Sequence, residues 1–238
     1  MIVFLHGMTG APGAWDHVRT LVGGGVALPI LGHVPELCRP DSFAGEIERL
    51  AGRIAPYAPV HLVGYSLGAR LALGLLARAP AAISRATLLG VHPGLVDPAE
   101  RAERVAADER WARLAETEGI AAFVAAWEAQ PLFASQARLP AEVRARHRRR
   151  RLAHDPRGLA AAFRGLGLGA MPDLWPALPA LRLPVTFVAG ELDPKFRALA
   201  SRAVAATPGA ALRLVPGAGH DVVLEAPRAV AAALLEDP

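Results

Sequence analysis

Apolar residues along this 238-residue chain gather in short unbroken runs separated by turn residues. Five runs have the length and continuity of strands buried on both faces: Ile2–His6, Val26–Leu31, Val60–Tyr65, Ala86–Val91 and Val185–Gly190. A sixth, Ala211–Val215, stops before Pro216-Gly217. Helical patterns lie between them. Asp41 or Ser42 is placed to cap a helix in which Phe43, Ile47, Leu50 and Ile54 recur at helical spacing. Leu67–Ala79 is apolar on nearly every side, as a helix pressed against a sheet must be. Strands alternating with helices predict an α/β fold: a mostly parallel sheet with helices on both faces.

The stretch 97–175 breaks this rhythm. It has no convincing strand, is rich in Ala, Glu and Arg, and repeats Ile120, Phe123, Val124 and Trp127 at helical spacing. We expect a helical cap at 97–175 inserted into a sheet domain made of 1–96 and 176–238. Caps of this kind cover a pocket and exclude water. The Pro-rich segment Pro172–Pro184 reads as the return from cap to core. No internal repeat is visible.

Composition narrows the classes. The length suits one α/β domain with an insertion. Apolar residues at 53% and charged residues at 20% exclude a disordered chain. Lys195 is the only lysine, so Arg carries the positive charge and lifts the pI to about 10.1 at a net charge of only +4. High pI is then a poor pointer to nucleic acid, and 5% aromatic content offers little for base stacking. No nucleic-acid partner is expected, and the Arg-, Ala-, Gly- and Pro-rich composition fits a GC-rich genome. The single cysteine, Cys38, excludes an internal disulfide and any Cys-based zinc or iron–sulfur site. His6, His17, His33, His61, His92, His147 and His154 show no metal-ligand spacing. Neither a signal peptide nor an apolar run of about 18 residues is visible, so a cytoplasmic protein without a membrane partner is expected.

Three loops carry the chemistry. Gly64-Tyr65-Ser66-Leu67-Gly68 matches the G-x-S-x-G elbow and lies between a strand and a helix. The sharp turn needs Gly where backbones meet, and it lifts the Ser66 hydroxyl to the helix N-terminus, where the dipole favours negative charge. His6-Gly7-Met8-Thr9-Gly10 follows the first strand. It is either a Gly-rich turn or a loop aiming the Met8 N–H at a developing oxyanion, beside the Leu67 N–H. Gly219-His220-Asp221 follows the last strand, and Asp193 follows the strand at Val185–Gly190. Ser66, Asp193 and His220 thus occur in the chain order of a Ser-Asp-His triad, with Glu191 the competing acid. Asp193 lies farther beyond its strand, where active-site residues gather.

With these residues the whole chain resembles the α/β-hydrolase superfamily. Within it the chain is most similar to the 2-succinyl-6-hydroxy-2,4-cyclohexadiene-1-carboxylate (SHCHC) synthases of menaquinone biosynthesis. The likeness rests on Gly64–Arg70, His92-Pro93-Gly94-Leu95, the Arg-rich helix Arg101–Trp111, Phe123 with Trp127–Ser135, Arg151-Leu152, Gly158-Leu159, Met171–Trp175 and Gly190–Phe196. One segment departs: the family's Leu-Pro-Gly-His-Gly becomes Leu28-Pro29-Ile30-Leu31-Gly32-His33-Val34. Asp221 also stands where an Asn is frequent.

The resemblance implies a carbon–oxygen lyase. It would eliminate pyruvate from 2-succinyl-5-enolpyruvyl-6-hydroxy-3-cyclohexene-1-carboxylate without a cofactor, the triad acting as base. The alternative is a serine carboxylic-ester hydrolase using the same triad through an acyl-enzyme. A multi-carboxylate substrate needs fixed cations. Arg70 lies one helical turn after Ser66 in an otherwise apolar helix, where a charge is costly unless paired. By resemblance Arg104 and one member of Arg148–Arg151, best Arg151, add carboxylate clamps. Trp127 lines the pocket or packs in the core, and Tyr65 donates a hydrogen bond. The expected assembly is a monomer or homodimer.

Overall fold

The computed structural model describes residues 1–33 and 40–236. Val34 of the altered segment, and Cys38, lie outside the described residues. The six expected strands all form: β1 (Ile2–Leu5), β2 (Val26–Leu28), β3 (Val60–Tyr65), β4 (Ile83–Leu89), β5 (Val185–Gly190) and β6 (Ala211–Val215). They make one sheet in the order β2-β1-β3-β4-β5-β6, every pairing parallel. Parallel neighbours demand crossovers, and helices supply them.

The helices in chain order are α1 (Asp16–Leu21), α2 (Phe43–Ile54), α3 (Leu67–Arg78), α4 (Pro98–Glu128), α5 (Ala141–Leu152), α6 (Pro156–Leu166), α7 (Pro194–Ala206), α8 (Val222–Glu225) and α9 (Pro227–Leu235). Of the two candidate caps for α2, Ser42 is used: its Oγ accepts the Gly45 N–H at 3.0 Å. Strand alternation sorts the core. Val3, Leu5, Leu62, Leu88 and Phe187 pack with α2, α3 and α7, whereas Phe4, Val63, Leu89 and Val188 pack with α1 and α9. Both faces are apolar because both are covered.

Three strands differ from expectation, β1 only by ending one residue early at Leu5. The run Val26–Leu31 pairs only to Leu28, because Pro29 has no N–H and the Ile30 N–H turns to His6 Nε2 at 3.2 Å. The run Ala86–Val91 starts earlier and ends at Leu89. Gly90 breaks it at φ +58, and a Cβ there would lie 3.0 Å from His220 Cε1. The strand ends where a histidine ring needs the space.

Between β4 and β5 the described chain is helical or irregular. α4 is two arms meeting at Gly119, whose φ of 80° and ψ of 173° lie outside the helical region. Phe123, Trp127, Phe133, Leu159 and Phe163 of this segment form a core separate from those on the sheet. Among the described residues no helix is long and apolar enough to cross a membrane.

Register places the site. Leu5 pairs with Gly64, Tyr65 with Leu89, and Gly190 with Val215, so His6, Ser66, Gly90 and Glu191 emerge at one edge of the sheet. Ligands of open parallel sheets bind at this carboxyl edge.

Candidate active site

The turn after β3 is built by two glycines and one strained serine. Ser66 has φ 50° and ψ −107°, outside the ordinary regions for an L-residue. A Cβ on Gly64 would sit 2.4 Å from the Gly68 carbonyl oxygen, and one on Gly68 2.2 Å from that of Leu5. Only hydrogen fits at either place. The Ser66 N–H donates to Leu89 O at 2.8 Å, and Ser66 O accepts from Arg70 N at 3.0 Å, which starts α3. No side chain caps that helix, so its first amides, Leu67 included, lack an intrahelical acceptor.

His220 Nε2 lies 3.3 Å from Ser66 Oγ, and its Nδ1 lies 2.8 Å from Asp193 Oδ2. A carboxylate at Nδ1 places the proton there and leaves the Nε2 lone pair facing the serine. Asp193 Oδ1 also accepts the Phe196 N–H at 3.1 Å, which fixes the carboxylate. The Phe196 ring packs 4.3 Å from the imidazole. Glu191 is engaged elsewhere, accepting the Gly217 N–H at 2.9 Å. Of the two acids, Asp193 is the one in contact with His220.

The serine opens into a cavity of about 380 Å³, within the range of small-molecule sites. Met8, Tyr65, Arg70, Arg104, Trp127 and Arg151 all line it. The Leu67 side chain is fully buried in the core beneath. Tyr65 is held against Gly7, where a Cβ would stand 2.7 Å from the ring. Burial and nearby Asp221 push the phenol well above its ordinary pKa, so it stays a donor.

The arginines differ in their partners. Arg70 donates to Leu166 O at 2.9 Å and lies 3.7 Å from Met171 Sδ, and it has no carboxylate in ion-pair range among the described residues. Burial and the Arg104 charge lower its pKa from 12.5 to about 9. Arg104 is already paired with Asp108 at 2.8 Å. Arg151 bonds Glu128 at 3.1 Å, lies 5.2 Å over the Phe133 ring, and keeps an unpartnered Nε. Arg148 shares the same Glu128 from an exposed position and does not line the cavity. The α5 residues that do are Val143, Arg146, His147, Arg150 and Arg151, one helical stripe.

Trp127 stands between the cavity and the core of its segment. It lines the cavity and packs on Trp111 and Phe163 at 5.0 and 5.3 Å. His92, His147 and Asp221 are among the cavity residues that the sequence did not place in the site. His147 Nε2 lies 3.7 Å from Asp221 Oδ2. Burial raises Asp221 to about 6 and lowers His147 to about 3. Their local sequence does not assign them to the cavity, because they arrive from helix and loop positions far apart in the chain. Among the described residues no cluster of three or more His, Cys, Asp or Glu is arranged to hold a metal ion.

Comparison with known proteins places the chain in a family. The model of an alpha/beta hydrolase family matches residues 2–233. A putative SHCHC synthase of Bacillus subtilis is 35% identical over 236 residues, covering 95% of this chain and 86% of that protein. The SHCHC synthase of Salmonella typhimurium is 35% identical over 240 residues, covering 99% and 92%. The structure of MenH from S. aureus superposes with a TM-score of 0.94 at 30% identity, over 98% of this chain and 91% of that one. A thermophilic esterase from Thermogutta terrifontis, at TM-score 0.84 and 21% identity over 98% and 87%, shares the fold. The chain belongs to the alpha/beta hydrolase family, in the branch of the 2-succinyl-6-hydroxy-2,4-cyclohexadiene-1-carboxylate synthases.

Proposed function

We propose that the protein is a carbon–oxygen lyase of menaquinone biosynthesis. It eliminates pyruvate from 2-succinyl-5-enolpyruvyl-6-hydroxy-3-cyclohexene-1-carboxylate. The observation that carries this is the Ser66–His220–Asp193 chain opening onto a cavity that also holds Arg70, an arginine with no ion-paired carboxylate among the described residues. A base beside fixed cations suits proton abstraction from a polyanion.

In this reading Ser66, backed by His220, removes the ring proton. The released electron pair forms a ring double bond, the bond to the enolpyruvyl oxygen breaks, and pyruvate leaves as its enolate and takes up a proton. The Met8 and Leu67 N–H groups stabilise charge on the carbonyl oxygen conjugated to the carbanion. Tyr65 donates to the substrate. Arg70, Arg104 and Arg151 bind carboxylates, Arg70 most strongly because, of the three, only it has no ion-paired carboxylate among the described residues. Trp127 forms an apolar wall. Residues 97–175 act as the cap that closes this site over the sheet domain of 1–96 and 176–238. The substrate is a small polyanion, the place of action the cytoplasm, and the assembly a monomer or homodimer.

Serine ester hydrolysis is the second reading, since the same Ser–His–Asp geometry serves an acyl-enzyme. One experiment separates them. Purified protein is given the enolpyruvyl substrate, and pyruvate is followed with a lactate dehydrogenase couple. Pyruvate release that Ser66→Ala abolishes supports the lyase. Rapid p-nitrophenyl ester turnover with no pyruvate overturns it.

A further inference from the structure

His92 stands just beyond β4, in the cavity, with no role in the triad or in the arginine set. Its Nδ1 accepts the Gly94 N–H at 3.1 Å. An imidazole nitrogen that accepts a backbone N–H carries a lone pair, so the ring proton of neutral His92 is on Nε2. That Nε2–H has no hydrogen-bond partner among the described residues, and it is not among the polar atoms sealed from solvent. A donor is thus fixed by the backbone on one side and left open on the other.

The loop that carries it is itself clamped. Pro93 O accepts the Leu174 N–H at 2.8 Å, and Gly94 O accepts the Trp175 indole N–H at 3.1 Å. Gly94 has φ +129°, and a Cβ on it would be 2.8 Å from Pro172 O. The ring therefore has a fixed position before any ligand arrives, which lowers the ordering cost of binding. Its electrostatic surroundings are cationic: burial, Lys195, Arg70, Arg104 and Arg202 lower its pKa to about 4. At neutral pH His92 is an uncharged donor in a field that attracts anions.

We infer that His92 is a substrate-binding residue whose Nε2–H donates to a carboxylate or carbonyl oxygen of an anionic ligand beside Arg70. The inference rests on the anionic-substrate reading above, yet it is tested separately from the lyase reaction. Asn places Oδ1 where Nδ1 lies, so His92→Asn keeps the Gly94 bond and loses the outer donor. Gln places its amide nitrogen near Nε2, so His92→Gln keeps the donor and loses the Gly94 bond.

The assay measures binding of succinate, a dicarboxylate probe, by calorimetry, and KM and kcat for pyruvate release. Thermal melting reports folding. His92→Asn is expected to weaken succinate and raise KM by about 10- to 100-fold, as for loss of a hydrogen bond to a charged group, with kcat changed far less. His92→Gln should recover most of this. Full binding by His92→Asn with loss in His92→Gln overturns the inference and makes His92 a loop anchor. Wild-type behaviour of both variants also overturns it. Should both lose binding, ¹⁵N-detected NMR of the wild-type protein decides: a His92 Nε2 resonance that moves with succinate saturation supports the assignment, and one that does not overturns it. If the wild-type protein binds succinate but releases no pyruvate, the lyase reading fails and the succinate arm still decides the role of His92.

Discussion

Replacing Arg70 by Met should make the folded protein more stable and the enzyme much worse. The side chain is 7% exposed and has one strong protein bond, to Leu166 O at 2.9 Å. Its pKa falls from 12.5 to about 9 through burial and the Arg104 charge. That fall corresponds to about 5 kcal/mol against the charged form in the folded state. A methionine removes this penalty and fills similar volume, but it strands the Leu166 carbonyl, a loss of about 1.5–3 kcal/mol for a charged bond. The net gain is about 2 kcal/mol, which raises the melting temperature by about 4–8 °C in a chain of this size. Activity moves the other way. Losing a carboxylate clamp of about 3 kcal/mol costs roughly 10²-fold in kcat/KM for the polyanionic substrate. Calorimetric melting and the pyruvate assay, with a neutral p-nitrophenyl ester as control, measure both effects. A lower melting temperature, or an equal loss on the neutral ester, would refute the clamp and make Arg70 a structural residue.

Other outcomes follow from the same geometry. Ser66→Gly should abolish activity and raise stability by about 1 kcal/mol, because Gly accepts positive φ without strain; urea unfolding checks it, and a less stable variant contradicts the strained turn. Gly68→Ala should cost at least about 3 kcal/mol or prevent folding, since its Cβ would lie 2.2 Å from Leu5 O, a backbone atom that cannot yield. Acid should unfold the protein steeply. His6 and His92 are lowered to about 4, and His61 and His147 to about 3. The unfolded chain therefore takes up protons below pH 6.5 while the native state does not. The stability is present at neutral pH and is lost as pH falls toward 4, by up to about 1.4 kcal/mol per pH unit for each such histidine. Asp221, raised to about 6, opposes this slope: its contribution is present at low pH and is lost as pH rises through 6. A urea midpoint that stays flat between pH 6.5 and 4.5 would contradict the buried neutral histidines.

Strand positions and the elbow were legible because they depend on neighbours in the chain. Unbroken apolar runs mark strands covered on both faces, and Gly64 and Gly68 mark where backbones touch. The same logic missed strand ends set by distant partners: His6 takes the Ile30 N–H, and the His220 ring occupies the space beside Gly90. Choosing Asp193 over Glu191 rested on two residues of loop; in the fold Asp193 Oδ2 lies 2.8 Å from His220 Nδ1.

By itself the sequence determined the order of strands and helices, the parallel α/β class, the serine turn and the three residues able to form the triad. All of these follow from local periodicity, backbone sterics and chain order. The tertiary structure decided the rest. It paired Arg104 with Asp108 and Arg151 with Glu128, left Arg70 without an ion-paired carboxylate among the described residues, and brought His92, His147 and Asp221 to one cavity. The physical reason is range. A strand or a turn is specified within a few residues, whereas the partner of a charge is set by packing between segments that the chain separates and the sheet reunites.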